Sequence, residues 1–394
     1  MSEKIPDKRE NNISSYFKDT FEDMNLPESL LKSIFAYGFE RPSDIQKKSI
    51  GCILTKKDLI AQAPSGTGKT GAFSIGTIAN VDPNLDELQT VILSPTRELA
   101  KQTFKVITSL GSFCNLRISL GTGGQQKSKF KFEKMSKDQI LIGTPGRICD
   151  NLDHKEINFE HLKMLILDEA DEMLSIGFVE QIKKIFRHIG KQTQIILYSA
   201  TIPREMLEIT DYFMDNPLEI LMDPSELTVK AIKQNYIDVQ NDDEKLEIIK
   251  DLYGKISVNQ SIIFCNTKKK LIWLESALTK EKYTVNVIHG DMMQEERNEI
   301  MDQFISGDCR ILIATDVLSR GINVQQVSLV INFDMPREVE TYLHRIGRCG
   351  RYGKTGVGIN LVSKFDMKYL KAIERHYKIK IDYLDANFDN PIIE

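Results

Sequence analysis

The chain alternates short apolar runs with longer segments of helical periodicity. Leu30, Leu31, Ile34 and Phe35 recur at helical spacing, and Gly38 follows where such a helix would end. Strand-like runs and helical stretches then alternate, and the runs are residues 58–62, 90–94, 117–120, 139–142, 163–167 and 194–198. This alternation predicts an α/β fold with a doubly wound parallel sheet.

The alternation restarts after a segment that is rich in turn residues. Asn216-Pro217 and residues 222–226 interrupt the chain. Further strand-like runs follow at residues 235–239, 261–265, 284–288, 310–314, 327–332 and 357–362. We therefore predict two similar α/β lobes joined by a short flexible linker. The boundaries that we expect are a disordered tail at 1–18, a first lobe at 19–222, a linker at 223–232 and a second lobe at 233–394.

A glycine-rich loop lies between the run 58–62 and the helical stretch that follows it. Its residues are Ala63, Pro64, Ser65, Gly66, Thr67, Gly68, Lys69 and Thr70. This order of strand, loop and helix is typical of a phosphate cradle, in which Lys69 reaches the terminal phosphates and Thr70 contacts Mg²⁺. The usual pattern begins with glycine where this chain has Ala63. The loop alone leaves kinases, GTPases, transporters and motors open.

An acidic segment follows the buried strand-like run 163–167. Asp168 and Glu169 come directly after that run, so both should face the same crevice as the phosphate loop. Asp168 would hold Mg²⁺, and Glu169 would orient or deprotonate an attacking water molecule. Both roles belong to phosphoryl transfer to water.

The second half has no phosphate loop but carries a basic segment from His344 to Arg351. Arg348 and Arg351 could converge on one anion, because a guanidinium offers paired donors and stays charged. We expect them to act as arginine fingers on a nucleotide clamped at the junction of the lobes. Cys349 lies between them, which suggests a thiol with a lowered pKa.

The composition of the chain indicates where the protein is found in the cell, but says little about which reaction it catalyses. The chain has 394 residues, 41% of them hydrophobic, and a formal net charge of −4, so a nucleic-acid site would have to be local. Its six cysteines show no CxxC pairing and no metal-ligand spacing, as expected for reduced cytosolic thiols. We expect no signal segment and no membrane span.

With these segments placed, the chain resembles the DEAD-box RNA helicases of superfamily two. The resemblance runs from about Thr20 to the end, and the motifs follow the family's order. It implies tandem RecA-like, flavodoxin-like parallel-sheet lobes that use ATP and Mg²⁺. Residues 38–46 resemble the family's adenine-reading motif, in which Phe39 would stack on the base and Gln46 would bond to its edge.

The resemblance also implies residue roles outside the phosphate site. The implied RNA contacts are Arg97, Gly124, Thr144, Arg147, Thr267, Arg297 and Thr315. The residues implied to couple ATP state to strand separation are Asp171, Ser199, Thr201 and His344. One position departs from the family, because Asn323 stands where aspartate usually holds the ATP ribose, and we expect an altered contact there.

The resemblance implies an ATP-dependent RNA helicase that separates RNA duplexes locally through backbone contacts. We expect a monomeric, cytoplasmic protein that acts with scaffold or activator proteins of a translation-initiation complex, as the cap-complex helicase. An ATP-gated RNA clamp, or a nuclear core helicase of an exon-junction or ribosome-assembly complex, is the alternative. A different phosphate-loop enzyme, such as a small-molecule kinase or a DNA translocase, is a third possibility.

Overall fold

The structure is a computed structural model that describes most of the chain. The described residues are 13–64, 66–121, 137–175, 177–202, 204–221, 232–255, 260–316, 327–349 and 356–385. The chain divides into two compact lobes, and the boundary between them along the sequence lies at Leu221.

The first lobe is built on a seven-stranded sheet whose strands are all parallel. The strands are β1 (Leu59–Gln62), β2 (Thr90–Leu93), β3 (Ile118–Gly121), β4 (Ile140–Gly143), β5 (Met164–Asp168), β6 (Gln194–Ser199) and β7 (Leu218–Ile220). They are arranged in the order β3-β4-β2-β5-β6-β1-β7.

Helices connect these strands within the first lobe. Two 3-10 helices, Ile13–Tyr16 and Glu22–Met24, come first. The α-helices are α1 (Glu28–Ala36), α2 (Asp44–Leu54), α3 (Lys69–Asn80), α4 (Arg97–Leu110), α5 (Pro145–Asp153), α6 (Ala170–Ser175), α7 (Val179–Phe186) and α8 (Arg204–Phe213). The expected disorder over residues 1–18 does not extend through residues 13–18, because Lys18 N donates to Lys47 O at 3.1 Å. Residues 1–12 lie outside the described part.

The second lobe repeats this design. Its strands are β8 (Ile232–Asp238), β9 (Ser261–Phe264), β10 (Val285–Ile288), β11 (Ile311–Ala314), β12 (Leu329–Asn332), β13 (Gly356–Val362) and β14 (Asp382–Tyr383). They are all parallel, in the order β10-β11-β9-β12-β13-β8-β14. Its described helices are α9 (Asp242–Lys255), α10 (Lys268–Lys280), α11 (Gln294–Ser306), α12 (Val339–Ile346) and α13 (Met367–Tyr377).

The two sheets have the same strand order when each is numbered from its own first strand, namely 3-4-2-5-6-1-7. This differs from the 2-1-3-4-5 order of flavodoxin, so the likeness to flavodoxin is limited to the layered parallel architecture. Every strand that the sequence predicted is present. The pattern missed β7 and β14, which are edge strands of three and two residues, and it placed the start of β8 three residues late.

Each sheet is covered by its own apolar core. Leu165 and Leu197 belong to the first core, and Ile263 and Ile331 belong to the second; all four side chains are buried. Burying such a side chain contributes roughly 1.5–3 kcal/mol to the free energy of unfolding. Because all strands of a sheet run in the same direction, their carboxyl ends share one edge. The loops that carry the candidate site residues leave the sheets at these edges.

Candidate functional site

The phosphate loop connects the carboxyl end of β1 to the first turn of α3. Gly66 and Gly68 have φ angles of +83° and +104°, a region that side chains other than glycine rarely adopt. Gly68 is also the N-cap residue of α3, directly before Lys69. A Cβ on Gly68 would lie 2.8 Å from Ser43 Oγ and 2.9 Å from Gln46 Nε2, so the loop requires glycine there. Ser65 lies outside the described residues.

Lys69 and the acidic segment meet beside this loop. Strand β6 alone separates β5 from β1 in the sheet, so Asp168 and Glu169 leave the sheet near the loop. Lys69 is 5% exposed, and its Nζ lies 3.2 Å from Glu169 Oε1. Within the described part of the chain, neither Lys69 Nζ nor Asp168 Oδ1 has a hydrogen-bond partner, although both atoms are buried.

Burial has the largest effect on the charge state of Asp168. Loss of solvation and, to a smaller extent, the charge of Glu169 raise the pKa of Asp168 to about 7, against the opposing effect of Lys69. A bound cation would favour the ionised carboxylate. Glu169 has a φ of +53°, a left-handed conformation that side chains other than glycine seldom adopt. Such backbone strain is common where a side chain is held for function.

These features fit a nucleoside triphosphate bound with Mg²⁺. The glycine loop presents the amino end of α3, which favours an anion. Lys69 supplies a buried cation that is paired with Glu169, and Asp168 Oδ1 is a carboxylate oxygen without a hydrogen-bond partner among the described residues, of the kind that Mg²⁺ prefers. Thr70, the second residue of α3, is half-buried on the same turn.

The adenine motif packs directly against the phosphate loop. Gln46 is buried, donates from Nε2 to Gly68 O at 3.3 Å, and accepts from Ser43 N at 2.9 Å in a capping box. Its amide therefore supports the loop, a contact that the sequence interpretation did not include. Phe39 lies parallel to Phe21, with 6.4 Å between ring centroids.

The sequence interpretation also missed Gly71. A Cβ on this residue would lie 2.7 Å from Gln46 Nε2 and 3.0 Å from the ring of Phe39. Glycine in the first turn of α3 therefore allows both adenine-motif side chains to approach the helix. Its place directly after Lys69-Thr70 was the available signal, since a glycine inside a helix usually marks a close approach.

The acidic segment is hydrogen-bonded to the Ser199-Ala200-Thr201 segment at the end of β6. Thr201 donates to Asp171 Oδ2 from its backbone N at 3.1 Å and from Oγ1 at 2.6 Å. Asp171 N donates to Ser199 Oγ at 3.3 Å. All three residues are buried, so this connection between neighbouring strand ends is shielded from water.

Three of the implied RNA contacts of the first lobe, Arg97, Thr144 and Arg147, lie at helix starts. Thr96 accepts a hydrogen bond from Leu99 N at 3.2 Å and so caps α4, which begins at Arg97. Thr144 precedes α5, where Pro145 occupies the first turn. Arg147 Nη1 lies 2.6 Å from Asp150 Oδ2. Gly124 lies outside the described residues.

The corresponding residues of the second lobe follow β9, β10 and β11. Thr267 is exposed and caps α10 by accepting from Lys270 N at 3.3 Å. Arg297 Nε is buried and has no hydrogen-bond partner among the described residues. Thr315 N donates to Ile288 O at 3.3 Å, which ties the end of β11 to the end of β10. Asn323 lies outside the described residues.

Strand order separates the two kinds of site within each lobe. In the first lobe, the implied RNA segments follow β2, β3 and β4, and the phosphate, acidic and Ser-Ala-Thr segments follow β1, β5 and β6. Each set of three strands is contiguous in the sheet. In the second lobe, the implied RNA segments follow the contiguous strands β9, β10 and β11. The basic segment from His344 to Arg351, called the arginine segment below, follows β12.

The arginine segment is more buried than the sequence suggested. His344 and Arg348 are 3% and 5% exposed, and Arg348 Nε donates to His344 O at 3.2 Å. Arg351 lies outside the described residues. The hypothesis of a lowered thiol pKa for Cys349 is wrong, because burial raises that pKa to about 12. Its Sγ lies 3.4 Å from the carbonyl oxygens of Ser328 and Val357.

Two family profiles match most of the chain. Residues 43–209 match the DEAD/DEAH box helicase family, and residues 244–353 match the helicase conserved C-terminal domain. The chain is 46% identical over 385 residues to a protein of Aspergillus clavatus named ATP-dependent RNA helicase eIF4A, a match that covers 98% of this chain and 97% of that protein. The protein of the same name from Phaeosphaeria nodorum is 47% identical over 369 residues, covering 94% and 93%.

Comparison with a solved structure also indicates a helicase of this type. The chain superposes on Saccharomyces cerevisiae Dbp5 bound to RNA and ADP BeF3 with a TM-score of 0.87, 34% identity, and coverage of 94% of this chain and 97% of that chain. This likeness confirms the tandem RecA-like lobes. The relatives confirm the resemblance drawn from the motifs and place eukaryotic initiation factor 4A among the similar proteins. The chain belongs to the DEAD/DEAH box helicase family.

Proposed function

We propose that this protein is an ATP-dependent RNA helicase that separates short RNA duplexes or remodels RNA–protein complexes. One observation supports the proposal most strongly: at the carboxyl edge of each sheet, the nucleotide-type segments and the implied RNA segments follow different strands. Phosphate-type segments leave one contiguous set of strands of the first lobe, and the implied RNA segments leave the neighbouring set. A hydrogen-bonded pair, Asp171 and Thr201, lies within the phosphate set.

On the nucleotide side, the residues named above act by binding and by proton transfer. The amides of the glycine loop and Lys69 bind the phosphates, and Phe39 and Gln46 bind adenine. Thr70 and Asp168 would hold Mg²⁺, which neutralises phosphate charge when bound. Glu169 orients the attacking water and accepts its proton. Arg348 and Arg351 stabilise the charge that develops on the γ-phosphate, and Asn323 contacts the ribose.

On the RNA side, the proposed contacts are to sugar and phosphate. Thr144, Thr267 and Thr315 offer hydroxyls, and Arg97, Arg147 and Arg297 offer cations, which are groups that bind the backbone without reading bases. Gly124 lets the RNA backbone approach closely. We infer that the protein holds one RNA strand in a conformation that a duplex cannot adopt. The residues that couple this binding of RNA to ATP hydrolysis are Asp171, Ser199, Thr201 and His344.

The setting that we propose is translation initiation, because the relatives with 46% and 47% identity are named for factor eIF4A. In this setting the protein acts in the cytoplasm as a monomer, with scaffold or activator proteins that tune its affinity for RNA. A net charge of −4 agrees with modest intrinsic RNA affinity. No described helix has both the length and the apolar character to cross a membrane.

The direct test is strand separation. Purified protein is mixed with a short labelled RNA duplex, Mg²⁺ and ATP, and the release of one strand is followed. We expect release with ATP and none with Lys69→Ala, which removes the phosphate-binding cation. Failure of the unmodified protein at every concentration, with and without initiation-complex partners, would overturn the proposal. ATP-dependent RNA retention without turnover would instead favour the ATP-gated clamp.

A further inference from the structure

We propose that residues 13–19, called the strap below, position helix α2 and with it the adenine-reading side chain of Gln46. The inference rests on the function proposed above, and it adds the strap and Gly51 to the elements that set the affinity for ATP. The strap comprises the 3-10 helix Ile13–Tyr16 and the three residues after it. The sequence interpretation assigned this stretch to a disordered tail.

The strap lies directly on the backbone of α2 at Gly51. A Cβ on Gly51 would overlap Tyr16 O and lie 3.0 Å from Tyr16 C, and both of these are backbone atoms. A backbone carbonyl cannot turn aside as the end of a side chain can, so alanine at this position would displace the strap or the helix. Glycine is unfavourable in the interior of a helix, and this close approach accounts for its presence in α2.

Two polar contacts connect the strap to the preceding turn of α2. Lys18 N donates to Lys47 O at 3.1 Å, and Lys47 Nζ lies 3.3 Å from Asp19 Oδ1. Lys47 is four residues before Gly51, so both contacts lie on the same side of the helix as the notch at Gly51. The ion pair is exposed at Asp19 and contributes little. The backbone hydrogen bond and the fit at Gly51 therefore hold the strap in place.

The strap is attached to both side chains of the adenine motif. Gln46 is buried, precedes Lys47 in α2, and donates from Nε2 to Gly68 O of the phosphate loop at 3.3 Å. Two residues beyond the strap, Phe21 lies parallel to Phe39, with 6.4 Å between ring centroids. A displacement of the strap therefore acts on Gln46 through α2 and on Phe39 through Phe21.

This arrangement links the strap to the nucleotide by reciprocity. If the docked strap holds Gln46 in place and so strengthens the binding of ATP, bound ATP must strengthen the docking of the strap by the same factor. A strap that only covers the surface of α2 would contribute to stability and leave both quantities unchanged. The affinity for ATP and the hydrogen exchange of the Lys18 amide measure the two sides of this linkage.

The first measurement uses the unmodified full chain. Hydrogen exchange of the strap peptide, which contains the Lys18 amide, is followed by mass spectrometry with and without a saturating non-hydrolysable ATP analogue and Mg²⁺. Coupling between sites is typically roughly 5- to 150-fold, and we expect the analogue to slow this exchange by about tenfold. Unchanged exchange at saturation would overturn the proposal.

The second measurement is the dissociation constant for the same analogue, without RNA, in Gly51→Ala. The new Cβ displaces the strap, so we expect about tenfold weaker binding and rapid exchange at Lys18. Gly254→Ala is the control for the change of residue, because a Cβ there meets no atom within 4 Å in helix α9. Its affinity for the analogue should stay within about twofold of the unmodified protein.

Gly143→Ala is the control for a clash that lowers stability. Its Cβ would overlap Gly121 O, also a backbone atom, at the end of β4, and three strands separate β4 from β1 in the sheet. The melting temperature should fall, while the affinity for the analogue should stay within about twofold. Weakening in Gly143→Ala equal to that in Gly51→Ala would overturn the positioning role, because loss of stability alone would then explain both.

The outcomes separate the inference from the proposed function. Normal affinity for the analogue in folded Gly51→Ala would overturn the role of the strap and leave the proposed helicase intact. If Gly51→Ala does not fold, the exchange measurement on the unmodified protein decides the question. If the unmodified protein binds no ATP analogue at all, the proposed function itself fails.

Discussion

Thr201 donates two hydrogen bonds to one oxygen of Asp171, at 3.1 Å from its backbone N and 2.6 Å from its hydroxyl. The two residues follow neighbouring strands β6 and β5, and both are buried. The acidic segment of the candidate ATP site is therefore fixed to the Ser-Ala-Thr segment by contacts that water does not weaken.

Thr201→Val tests whether this contact couples hydrolysis to strand separation. The change removes the 2.6 Å bond and keeps the side-chain shape, so the free energy of unfolding should fall by about 1–2 kcal/mol. We expect fewer duplexes separated per ATP hydrolysed. Thr193→Val is the matched control, since buried Thr193 donates to Leu162 O at 2.9 Å at the start of β6. It should lose similar stability and keep the yield per ATP; equal yields in both variants would contradict the coupling role.

Glu169→Gln tests the proposed general base. The amide keeps the size of the side chain but cannot accept a proton, so ATP turnover should fall by roughly 10²- to 10⁴-fold. Binding of ATP, measured with a fluorescent analogue, should persist because Lys69 and the glycine loop are intact. Glu160→Gln, at an exposed position before β5, serves as the control. Normal turnover in Glu169→Gln would remove Glu169 from this role.

Gly71→Ala tests the close packing of the adenine motif. The new Cβ would lie 2.7 Å from Gln46 Nε2 and 3.0 Å from Phe39, so these side chains must shift. We expect roughly tenfold weaker ATP binding and a smaller preference for ATP over GTP. Gly254→Ala in α9 is the control, because its Cβ meets no atom within 4 Å, and it should gain up to about 1 kcal/mol of stability. Unchanged nucleotide preference in Gly71→Ala would contradict the assignment.

Cys349 should be inert in the folded protein despite the arginines near it in sequence. With a pKa of about 12, roughly one thiol in 10⁴ is ionised at pH 8, and the side chain is buried. Alkylation of the native protein, read by mass spectrometry, should modify Cys114, which is half-buried, long before Cys349. Unfolding in denaturant should abolish the difference. Rapid native labelling of Cys349 would contradict its burial.

The sequence predicted the layered architecture of both lobes because the alternation of apolar runs and helical stretches is repeated many times along the chain. Continuous apolar runs such as Leu165 to Leu167 are typical of buried parallel strands, and the alternation with helices predicted the layers of both lobes. The missed strands β7 and β14 are too short for any period to be visible. The order of the strands was also not predicted, since it depends on contacts distant in sequence.

The candidate site, too, was predicted from the sequence only in part. The glycine loop, Lys69 and the acidic pair are local patterns, and the structure brings Lys69 within 3.2 Å of Glu169. The environment of Cys349 could not be predicted, because sequence neighbours do not determine which carbonyl oxygens surround a side chain. The buried hydrogen bonds of Arg345 could not be predicted for the same reason, since its acceptors are 11 to 79 residues away in the sequence.

The most direct test of the account is steady-state ATP hydrolysis with single-stranded RNA, with a matched DNA strand, and with neither. The account predicts selective stimulation by RNA, since the proposed contacts include sugars and the 2′-hydroxyl distinguishes RNA from DNA. Lys69→Ala should abolish the activity in every condition. Equal stimulation by DNA, or none by RNA in the presence of initiation-complex partners, would contradict the assignment of RNA contacts to both lobes.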